Sequence, residues 1–434
     1  MIDDPVDTPA GGVAGSSRPP GSGVSDDHPI SDPRMVRMLW PVLIAAILGL
    51  FPFTIYSTYL VQIAATAGAP EPGIGFLRGL GGLAALIAGI AVAPLLVRWS
   101  KQYVAAAALT LLAAASLLAT TGSFAALTVF CLGIGLATAL LTPALLALAT
   151  ARFSGPGNIG RAATMVTAIQ SLAAVFAGPV IGVLGSWRGW QGALWITAAA
   201  GVLVAAGFLR TAVRATAEPA PTVSLGYLAS FRALRAQPDL LALIAVAGLR
   251  TTSFMGYLAF LAVFYSHRFE LTASAFTLVW TLSGASFFLG NYLTGRWVRD
   301  PDSMIGRRPT VVLTAGLLGA LLAVLGVFHT TALPAALAAT ALMGFGHAVV
   351  AAQVTTSIAR RSGDLSATAF SLNAAGMSLG VFAGSVLGGS GLAAGGHTGL
   401  ALVLSLPTVL ALILVPVTRD SPRGAGAGDA RGAA

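Results

Sequence analysis

Charged side chains are scarce in this sequence: they make up 9 % of its 434 residues, whereas hydrophobic residues make up 56 %. A soluble domain carries about 25 % charge, so this chain cannot build a water-facing surface of ordinary polarity. The composition excludes a soluble globular enzyme, a disordered protein and a nucleic-acid-binding protein. The net charge of +9 does not indicate nucleic acid, because the arginines are spread along the chain one or two at a time. A membrane protein, with the lipid bilayer as its partner, is what remains.

Cysteine and lysine occur once each, as Cys131 and Lys101. A single cysteine permits neither an intramolecular disulfide nor a cysteine metal cluster. Lys101 follows a serine rather than a glycine-rich loop, so the phosphate-binding loop of an ATP-driven pump is missing. The five histidines are too scattered for a paired-histidine metal motif, and no nucleophile–base pair stands out. We therefore predict no cofactor, no metal site and no enzymatic activity.

Long apolar stretches fill most of the chain. A helix rises 1.5 Å per residue, so about 20 apolar residues cross a bilayer. Stretches of about this length or longer cover residues 38–64, 74–97, 103–121, 124–150, 163–185, 191–210, 239–266, 272–297, 310–329, 332–358, 365–389 and 397–418. The sequence therefore predicts an all-α polytopic membrane protein with twelve transmembrane helices.

Polar segments divide the chain into two halves. Residues 1–33 and 419–434 contain few large apolar residues, and we predict that both are disordered tails. The interior polar segment 211–238 joins a predicted N-terminal six-helix bundle, 34–210, to a predicted C-terminal six-helix bundle, 239–418. Four apolar residues of this linker recur three apart, namely Leu225, Leu228, Phe231 and Leu234. This spacing predicts a short amphipathic helix on the membrane surface.

The basic residues predict the orientation of the chain. With the N-terminus in the cytoplasm, nearly every arginine of the connections falls on the inner side, and only Arg188 and Arg268 fall on the outer side. Arg78 and Arg250 lie within spans. This bias predicts a multi-pass protein of the inner (plasma) membrane with both termini in the cytoplasm.

The two halves carry related sequences. Residues 175–182, VFAGPVIG, match residues 381–388, VFAGSVLG, at an offset of 206. Val97-Arg98 stands opposite Val298-Arg299, and the basic segment that begins at Ser100 stands opposite the one that begins at Gly306. A parallel duplication of six spans, with a substrate site at mid-depth between the halves, is a known plan of secondary transporters.

These residues resemble motifs of the major facilitator superfamily, and of its twelve-span drug:proton antiporter branch in particular. The stretch from Gly89 to Lys101 resembles the family's basic loop after the second span, and the stretch from Gly290 to Arg308 resembles its second copy. The segment Ala174-x3-Gly178-Pro179-x2-Gly182 resembles the antiporter motif of the fifth span. The first basic loop departs from the pattern, because Val97 stands where the family has an aspartate.

The resemblance implies two bundles that rock about a central site, with coupling or gating residues at Arg98, Lys101, Gly178, Pro179, Gly182, Arg299, Asp300, Arg307 and Glu71. Each motif also has a plain structural interpretation. The small residues recur every four positions, which suits close packing of two helices. The basic residues at the inner ends also suit a purely topological role.

Inside the spans the ionisable side chains are basic, since every acidic residue lies near or beyond a span end. Arg250 lies roughly 16 Å into the seventh span. A charge there costs at least about 2.5 kcal/mol, so it needs a wet cavity or a partner. His347, in the tenth span, is a candidate for substrate binding and for carrying a proton. Arg78, in the second span, either binds substrate or snorkels outward.

Aromatic and amide side chains complete the predicted substrate site. Phe254 and Tyr257 share a helical face with Arg250. The resemblance implies that the first, fourth, seventh and tenth helices line the cavity, and the further candidates are Tyr56, Trp280 and Asn373. Aromatics with a few polar groups suit a small amphipathic ligand.

Three functions are compatible with this sequence. The first is a secondary transporter that exports a small amphipathic compound by alternating access, for which the resemblance implies proton antiport through Glu71 or His347. The second is an importer or uniporter of a small organic anion, built around the basic residues. The third is a membrane sensor or scaffold without transport, which the short loops disfavour because they offer little exposed surface.

Overall fold

The computed structural model describes residues 30–96, 99–212, 232–299 and 308–419. Helices joined by short turns make up these segments, and no strand occurs in any of them. Residues 1–29 and 420–434 of the predicted tails and residues 213–231 of the predicted linker fall outside the described residues. Asp32 and Pro33, at the end of the first predicted tail, already belong to the first helix. Residues 232–235 at the end of the linker are helical, and Leu234 is buried there beside exposed Arg232 and Arg235, the pattern expected of an amphipathic turn.

The first half contains eight helices. They are α1 (Asp32–Leu48), α2 (Phe51–Thr58), α3 (Leu60–Ala67), α4 (Glu71–Leu96), α5 (Lys101–Ala119), α6 (Phe124–Thr150), α7 (Pro156–Gly185) and α8 (Gly189–Ala212). The first three lie end to end and form one broken span. The break between α1 and α2 lies at Gly49, just before Pro52. Pro52 has no backbone N–H and therefore cannot donate a hydrogen bond to the carbonyl one turn earlier.

The second half contains five long helices among the described residues. They are α9 (Pro238–Phe269), α10 (Ala273–Arg299), α11 (Pro309–His329), α12 (Leu333–Arg361) and α13 (Ser366–Leu414). The 49 residues of α13 are too many for one bilayer crossing, and the helix is interrupted by non-helical backbone at Gly395 and Gly396. The backbone φ of Gly396 is +58°, a conformation that glycine adopts without steric cost.

Eleven of the described helices are long and apolar enough to cross a membrane, and the last of them is α13 with its following turn. Since α13 is interrupted at Gly395 and Gly396, it supplies two crossings. The predicted twelve-span, all-α fold is therefore confirmed, and each predicted span overlaps a helix of the structure.

The helices pack as two bundles with two seams between them. In the first bundle α5 packs on α6 and α8, and α4 packs on α6; in the second α9 packs on α13, and α12 packs on α10 and α11. The seams between the bundles are α4 against α13 and α7 against α10. Under the predicted duplication α4 corresponds to α10 and α7 to α13, so each seam is the pseudo-symmetric counterpart of the other.

Small residues allow the backbones at these seams to approach closely. A Cβ added at Gly178 of α7 would collide with the carbonyl oxygen of Thr277 on α10, and one added at Gly82 of α4 would lie 2.6 Å from the carbonyl oxygen of Ser378 on α13. Gly384, the repeat counterpart of Gly178, faces Thr252 of α9 inside its own bundle. The ridge of small residues therefore serves helix packing in both halves.

Buried apolar side chains form three clusters, distributed unevenly between the two ends of the bundles. We call the end where α1, α5, α7, α9 and α11 begin the arginine-rich end, and the opposite end the arginine-poor end. One large cluster at the arginine-poor end contains residues of both bundles. At the arginine-rich end there are two clusters, one built from the first bundle and the other from the second. The apolar core thus joins the bundles at one end only.

We predict that Gly178→Ala destabilises the protein by about 1–3 kcal/mol, because the new methyl group must push α7 away from the α10 backbone. The matched control is Gly207→Ala in α8, where an added Cβ meets nothing within 4 Å. That change should be neutral or stabilise by up to about 1 kcal/mol through helix propensity. Thermal unfolding in detergent measures both variants, and equal behaviour of the two would contradict the described seam.

Candidate functional site

Arg250 lies near the middle of α9, and its side chain is buried, with a residue exposure of 5 %. Its Nη1 atom lies 2.6 Å from Nε2 of His347 on α12 and 3.4 Å from the carbonyl oxygen of the same residue. An arginine N–H can only donate, so the imidazole nitrogen must accept this hydrogen bond. The structure therefore brings together the two ionisable residues predicted at the centre of the seventh and tenth spans.

Aromatic rings enclose the imidazole of His347. Phe254, one turn after Arg250 on α9, stacks on it with ring centroids 3.6 Å apart and an interplanar angle of 15°. Phe287 of α10 lies 5.8 Å from the imidazole and 6.4 Å from Phe254. The imidazole that contacts Arg250 therefore lies among aromatic rings of α9 and α10.

Two tyrosine hydroxyls meet at one threonine above this stack. The hydroxyl of Tyr257 lies 2.8 Å, and that of Tyr265 2.9 Å, from Oγ1 of Thr340 on α12. All three residues are fully buried. A threonine hydroxyl donates one hydrogen bond and accepts others, so both contacts can form at once. Tyr257 thus serves α9–α12 packing in this arrangement, as well as sharing a helical face with Arg250.

Arg78 is buried between the bundles. Its Nη1 donates to the carbonyl oxygen of Met255 on α9 at 3.2 Å, and its guanidinium carbon lies 5.8 Å from the ring centre of Phe53. The residue is 7 % exposed. The expectation that Arg78 snorkels outward is therefore wrong. Because α4 begins at Glu71, Arg78 lies a further turn inside the helix than the predicted span start at residue 74 suggested.

Within the part of the chain that the structure describes, neither buried arginine has a carboxylate partner. The five acidic residues of the described segments lie at or beyond helix ends: Asp32, Glu71, Asp239, Glu270 and Asp364. The Nε atoms of Arg78 and Arg250 are buried and have no hydrogen-bond partner. The centre of the molecule therefore holds two positive charges whose contacts are neutral groups.

The other predicted substrate residues have contacts of their own, and among the described residues none of these contacts is with Arg250. Tyr56 donates to the carbonyl oxygen of Ile74 and stacks on Phe130, which commits it to the core of the first bundle. Trp280 is buried with its Nε1 unpartnered, and Asn373 has an unpartnered Oδ1. These two groups therefore keep unused hydrogen-bonding capacity, whereas the hydroxyl of Tyr56 is already used.

Glu71 pairs with a histidine of the other bundle at the arginine-poor end. Its Oε1 lies 3.0 Å from Nε2 of His267 at the end of α9. The ring of His397, at the start of the last crossing, is 6.0 Å from that of His267 and 5.2 Å from Phe264. This hydrogen bond crosses from α4 to α9 and adds a polar contact to the apolar core that joins the bundles there.

Most of the predicted gating residues of the basic loops lie outside the described residues, namely Arg98, Asp300 and Arg307. Arg299 is the last residue of α10. Lys101 begins α5, and its Nζ donates to the carbonyl oxygen of Trp99. A cavity of about 490 Å³ lies beside this segment, lined by Trp99, Ser100, Tyr103, Val104, Ala107 and Leu140. It belongs to the first bundle and does not include Arg250.

Other arginines at the arginine-rich end contact residues of α1 or of the C-terminal turn. Arg152 donates to the carbonyl oxygen of Met38 at 2.6 Å, and Arg161 pairs with Asp32. Arg361 donates to the carbonyl oxygen of Thr418. These contacts fit the structural interpretation of the inner arginines.

Sequence reasoning missed four participants: Thr340, Phe287, Met255 and His267. Met255 contributes only its backbone carbonyl, a group that every residue has, so its amino-acid type does not indicate this role. Thr340 and Phe287 are common residues in apolar helices, and their roles depend on which face each helix turns inward. His267 was visible as an ionisable residue at a span end, opposite Glu71, but nothing in the sequence pairs the two.

We predict that Thr340→Val destabilises the protein by about 1–3 kcal/mol, because two buried tyrosine hydroxyls lose their common partner. Thr128→Val is the matched control, since that hydroxyl is exposed and donates only to the carbonyl of Phe124 in its own helix. Thermal unfolding in detergent compares the two. A similar small effect from both would mean that the tyrosine–threonine contacts do not hold α9 to α12.

Comparison with known proteins gives a family and a fold. The family model described as Major Facilitator Superfamily matches residues 42–305, more than half of the chain. No curated protein matches the sequence.

Solved transporter structures have a similar fold. An inward-facing, unoccupied bacterial homologue of the human lysosomal transporter Spinster is 19 % identical with a TM-score of 0.72, and the match covers 90 % of this chain and 97 % of that one. The nucleoside transporter NupG is 14 % identical with a TM-score of 0.67, over 88 % and 98 % of the two chains. The human organic anion transporter MFSD10 is 19 % identical with a TM-score of 0.59, over 89 % and 100 %. At these identities the likeness shows the fold alone.

Proposed function

Since the chain belongs to the Major Facilitator Superfamily, we propose that it is a secondary active transporter that exports a small amphipathic compound in exchange for protons. The family indicates a transporter rather than an enzyme, and the apolar helices indicate a multi-pass membrane protein. Within the family we assign it to the twelve-span drug:proton antiporter branch. We also propose that it resides in the plasma membrane with both termini in the cytoplasm, as the arginine bias predicts.

The uneven distribution of the apolar core is the observation that carries this proposal. One cluster joins both bundles at the arginine-poor end, whereas each cluster at the arginine-rich end belongs to a single bundle. Bundles joined at one end can part at the other without breaking a shared core. With the predicted orientation, this is the inward-facing arrangement of an alternating-access cycle, and rocking about the two seams would open the opposite end.

The substrate site of this proposal lies at mid-depth between the bundles. Arg250, His347 and Phe254 form its centre, Arg78 approaches from the first bundle, and Trp280 contributes an unpartnered indole N–H. Apolar rings with a few polar groups suit an amphipathic molecule. Tyr257 and Asn373 extend the same lining, and Tyr56 supports it from the core of the first bundle.

Gating in this proposal uses the seams and the ion pair at the arginine-poor end. Gly178, Pro179 and Gly182 let α7 slide or bend against α10, since Pro179 removes one backbone hydrogen bond from the helix. Glu71 and His267 hold the arginine-poor end closed. Glu71 is the first candidate for carrying the proton. His347 is the second candidate for the proton, because a proton at its Nε2 would displace Arg250.

An importer or uniporter of a small organic anion is the second candidate function. The absence of a carboxylate beside either buried arginine, within the described segments, favours it. Counterflow of a labelled compound in proteoliposomes, with and without a pH gradient, separates the two candidates. Proton exchange requires a response to the gradient, and indifference to it favours the uniporter.

We predict that Arg250→Ala abolishes export while the protein still reaches the membrane, because the guanidinium group organises the proposed site. The measurement is the cellular accumulation of a panel of fluorescent amphipathic dyes, with and without an uncoupler. Arg152→Ala, which removes an exposed arginine at the arginine-rich end, is the matched control and should export normally. Normal export by Arg250→Ala would show that this residue does not belong to the site. Equal dye accumulation in cells with and without the wild-type protein would contradict export.

We predict that Glu71→Gln loosens the arginine-poor end, because the amide cannot form an ion pair with His267. Spin labels at Ala65 and Ser274, both exposed at that end and on different bundles, report the opening as a longer or broader distance distribution. Glu270→Gln, at an exposed acid of the same end, is the control. Identical distributions for wild type and Glu71→Gln would show that the pair does not act as a gate.

A further inference from the structure

We infer that the turn between α7 and α8, at the arginine-poor end, binds the phosphate group of an anionic phospholipid through Arg188. The site consists of Arg188 and the indole rings of Trp187 and Trp195, and we call it the Arg188 site. It lies at the ends of two helices rather than at mid-depth, and it does not depend on what the protein transports or in which direction. The inference follows from the surroundings of the arginine, its free donors and its position at the edge of the bilayer.

Two indole rings flank the guanidinium group of Arg188. Its central carbon lies 5.8 Å from the ring centre of Trp187 and 5.7 Å from that of Trp195. The centres of the two rings are 6.0 Å apart, and the ring planes meet at 62°. An arginine can contact the face of an aromatic ring and still donate hydrogen bonds from the edge of its guanidinium group. The rings therefore position the group without using its N–H donors.

No acceptor for the N–H groups of Arg188 occurs in the described helices and turns. Arg152, Arg161 and Arg361, at the other end of the bundles, each contact a carbonyl oxygen or a carboxylate instead. Arg188 is exposed, so its donors can reach a partner outside the protein. The planar fork of a guanidinium group fits two oxygens of one phosphate.

The surroundings of Arg188 place it at the level of lipid headgroups. It lies in the turn between two helices that are each long and apolar enough to cross a membrane. Trp187 and Trp195 are both exposed, and tryptophans are enriched where a bilayer meets water. The phosphate groups of the adjacent leaflet are therefore at the depth of Arg188.

An exposed apolar stripe on α7 leads from this turn toward mid-depth. Phe176, Val180 and Val183 recur three or four positions apart, so they share one face of the helix, and all three are exposed. Trp187 continues the same spacing just beyond the helix end. A headgroup held by Arg188 can therefore lay an acyl chain along this stripe. A phospholipid uses both parts of the surface, whereas a free phosphate ion uses only the arginine.

The charge of the site selects among phospholipids. A zwitterionic headgroup carries an ammonium group beside its phosphate, and that group would meet the positive charge of Arg188 over the same two rings. Phosphatidylglycerol has a phosphate without a compensating cation. We therefore expect phosphatidylglycerol to bind in preference to phosphatidylcholine by about fivefold, which is typical of one basic residue near a membrane surface.

The backbone of the turn determines which substitution is informative. The φ of Arg188 is +63°, in the left-handed region that few residues other than glycine adopt, and Gly189 follows with a φ of +61°. A Cβ added at Gly192 would collide with the carbonyl oxygen of Trp187, so the turn packs closely on the start of α8. Glycine at position 188 removes the guanidinium group and suits this backbone conformation.

The test measures lipid contact at this turn. Replacing Trp40, Trp99 and Trp297 by phenylalanine leaves Trp187 and Trp195 as the exposed tryptophans, since the other two of the seven are buried. This full-length reporter protein is purified in detergent and titrated with brominated phosphatidylglycerol or brominated phosphatidylcholine of the same acyl chains. A bromine close to an indole quenches its fluorescence. Phosphatidylglycerol should reach half-maximal quenching at a mole fraction about fivefold lower than phosphatidylcholine.

Variants of the reporter protein assign this preference to Arg188. Arg188→Gln and Arg188→Gly should each bring the two mole fractions together, and agreement between them attributes the loss to the guanidinium group rather than to the turn. Arg268→Gln is the matched control, because it removes the other exposed arginine of this end, and it should leave the difference intact. An excess of glycerol 1-phosphate, which has no acyl chain, should not reverse the quenching.

Three results would overturn the inference. The first is equal half-maximal mole fractions for the two lipids in the reporter protein. The second is a preference that survives both Arg188 variants, or that falls equally in Arg188→Gln and Arg268→Gln, which would indicate the general charge of the surface. The third is full reversal of the quenching by glycerol 1-phosphate, which would indicate a site for free phosphate. Since no transport is measured, each result is independent of the proposed function.

Discussion

The structure depends on a single electrostatic constraint, the cost of positive charge inside a nearly uncharged helical bundle. Only 9 % of the residues are charged, and the acidic ones of the described segments stay at helix ends. Arg250 and Arg78 nevertheless lie buried near the middle of the molecule. Burial of an unpaired charge is unfavourable, so such residues are placed where a wet cavity, a neutral acceptor or a ligand offsets the cost. The imidazole of His347, its aromatic enclosure and the carbonyl of Met255 perform this role in the absence of an anion.

The same centre lies between two bundles that are held together in different ways at their two ends. At the arginine-poor end a shared apolar core is joined by the Glu71–His267 pair, whereas at the arginine-rich end each bundle keeps its own core. The seams α4–α13 and α7–α10 are lined by glycines, which let the backbone and side chains of the partner helix approach closely. A core shared at one end permits a rocking motion about these seams. A charged group at the centre gives a ligand the means to bias that motion.

The sequence predicts the architecture well and the side-chain contacts poorly. Span positions follow from runs of apolar residues, and the repeat at residues 175–182 and 381–388 predicts close helix packing at small residues in both halves. Arg250 and His347 were both placed near mid-depth, because depth depends only on distance along a helix. Side-chain contacts depend on how far each helix is rotated about its axis. This is so for the contact of Arg250 with His347, the stacking of Phe254 and the burial of Arg78 between the bundles. Long runs of alanine, leucine and glycine are apolar on every face, so they carry almost no signal for that rotation.

The most direct test of the account is an experimental structure of the protein with 4-bromo-1-naphthoate bound, in which anomalous scattering locates the bromine. The account predicts the carboxylate within hydrogen-bond distance of the guanidinium group of Arg250, beside His347. A carboxylate that does not contact Arg250, or a ligand seated in the cavity beside Trp99 and Tyr103, would contradict it.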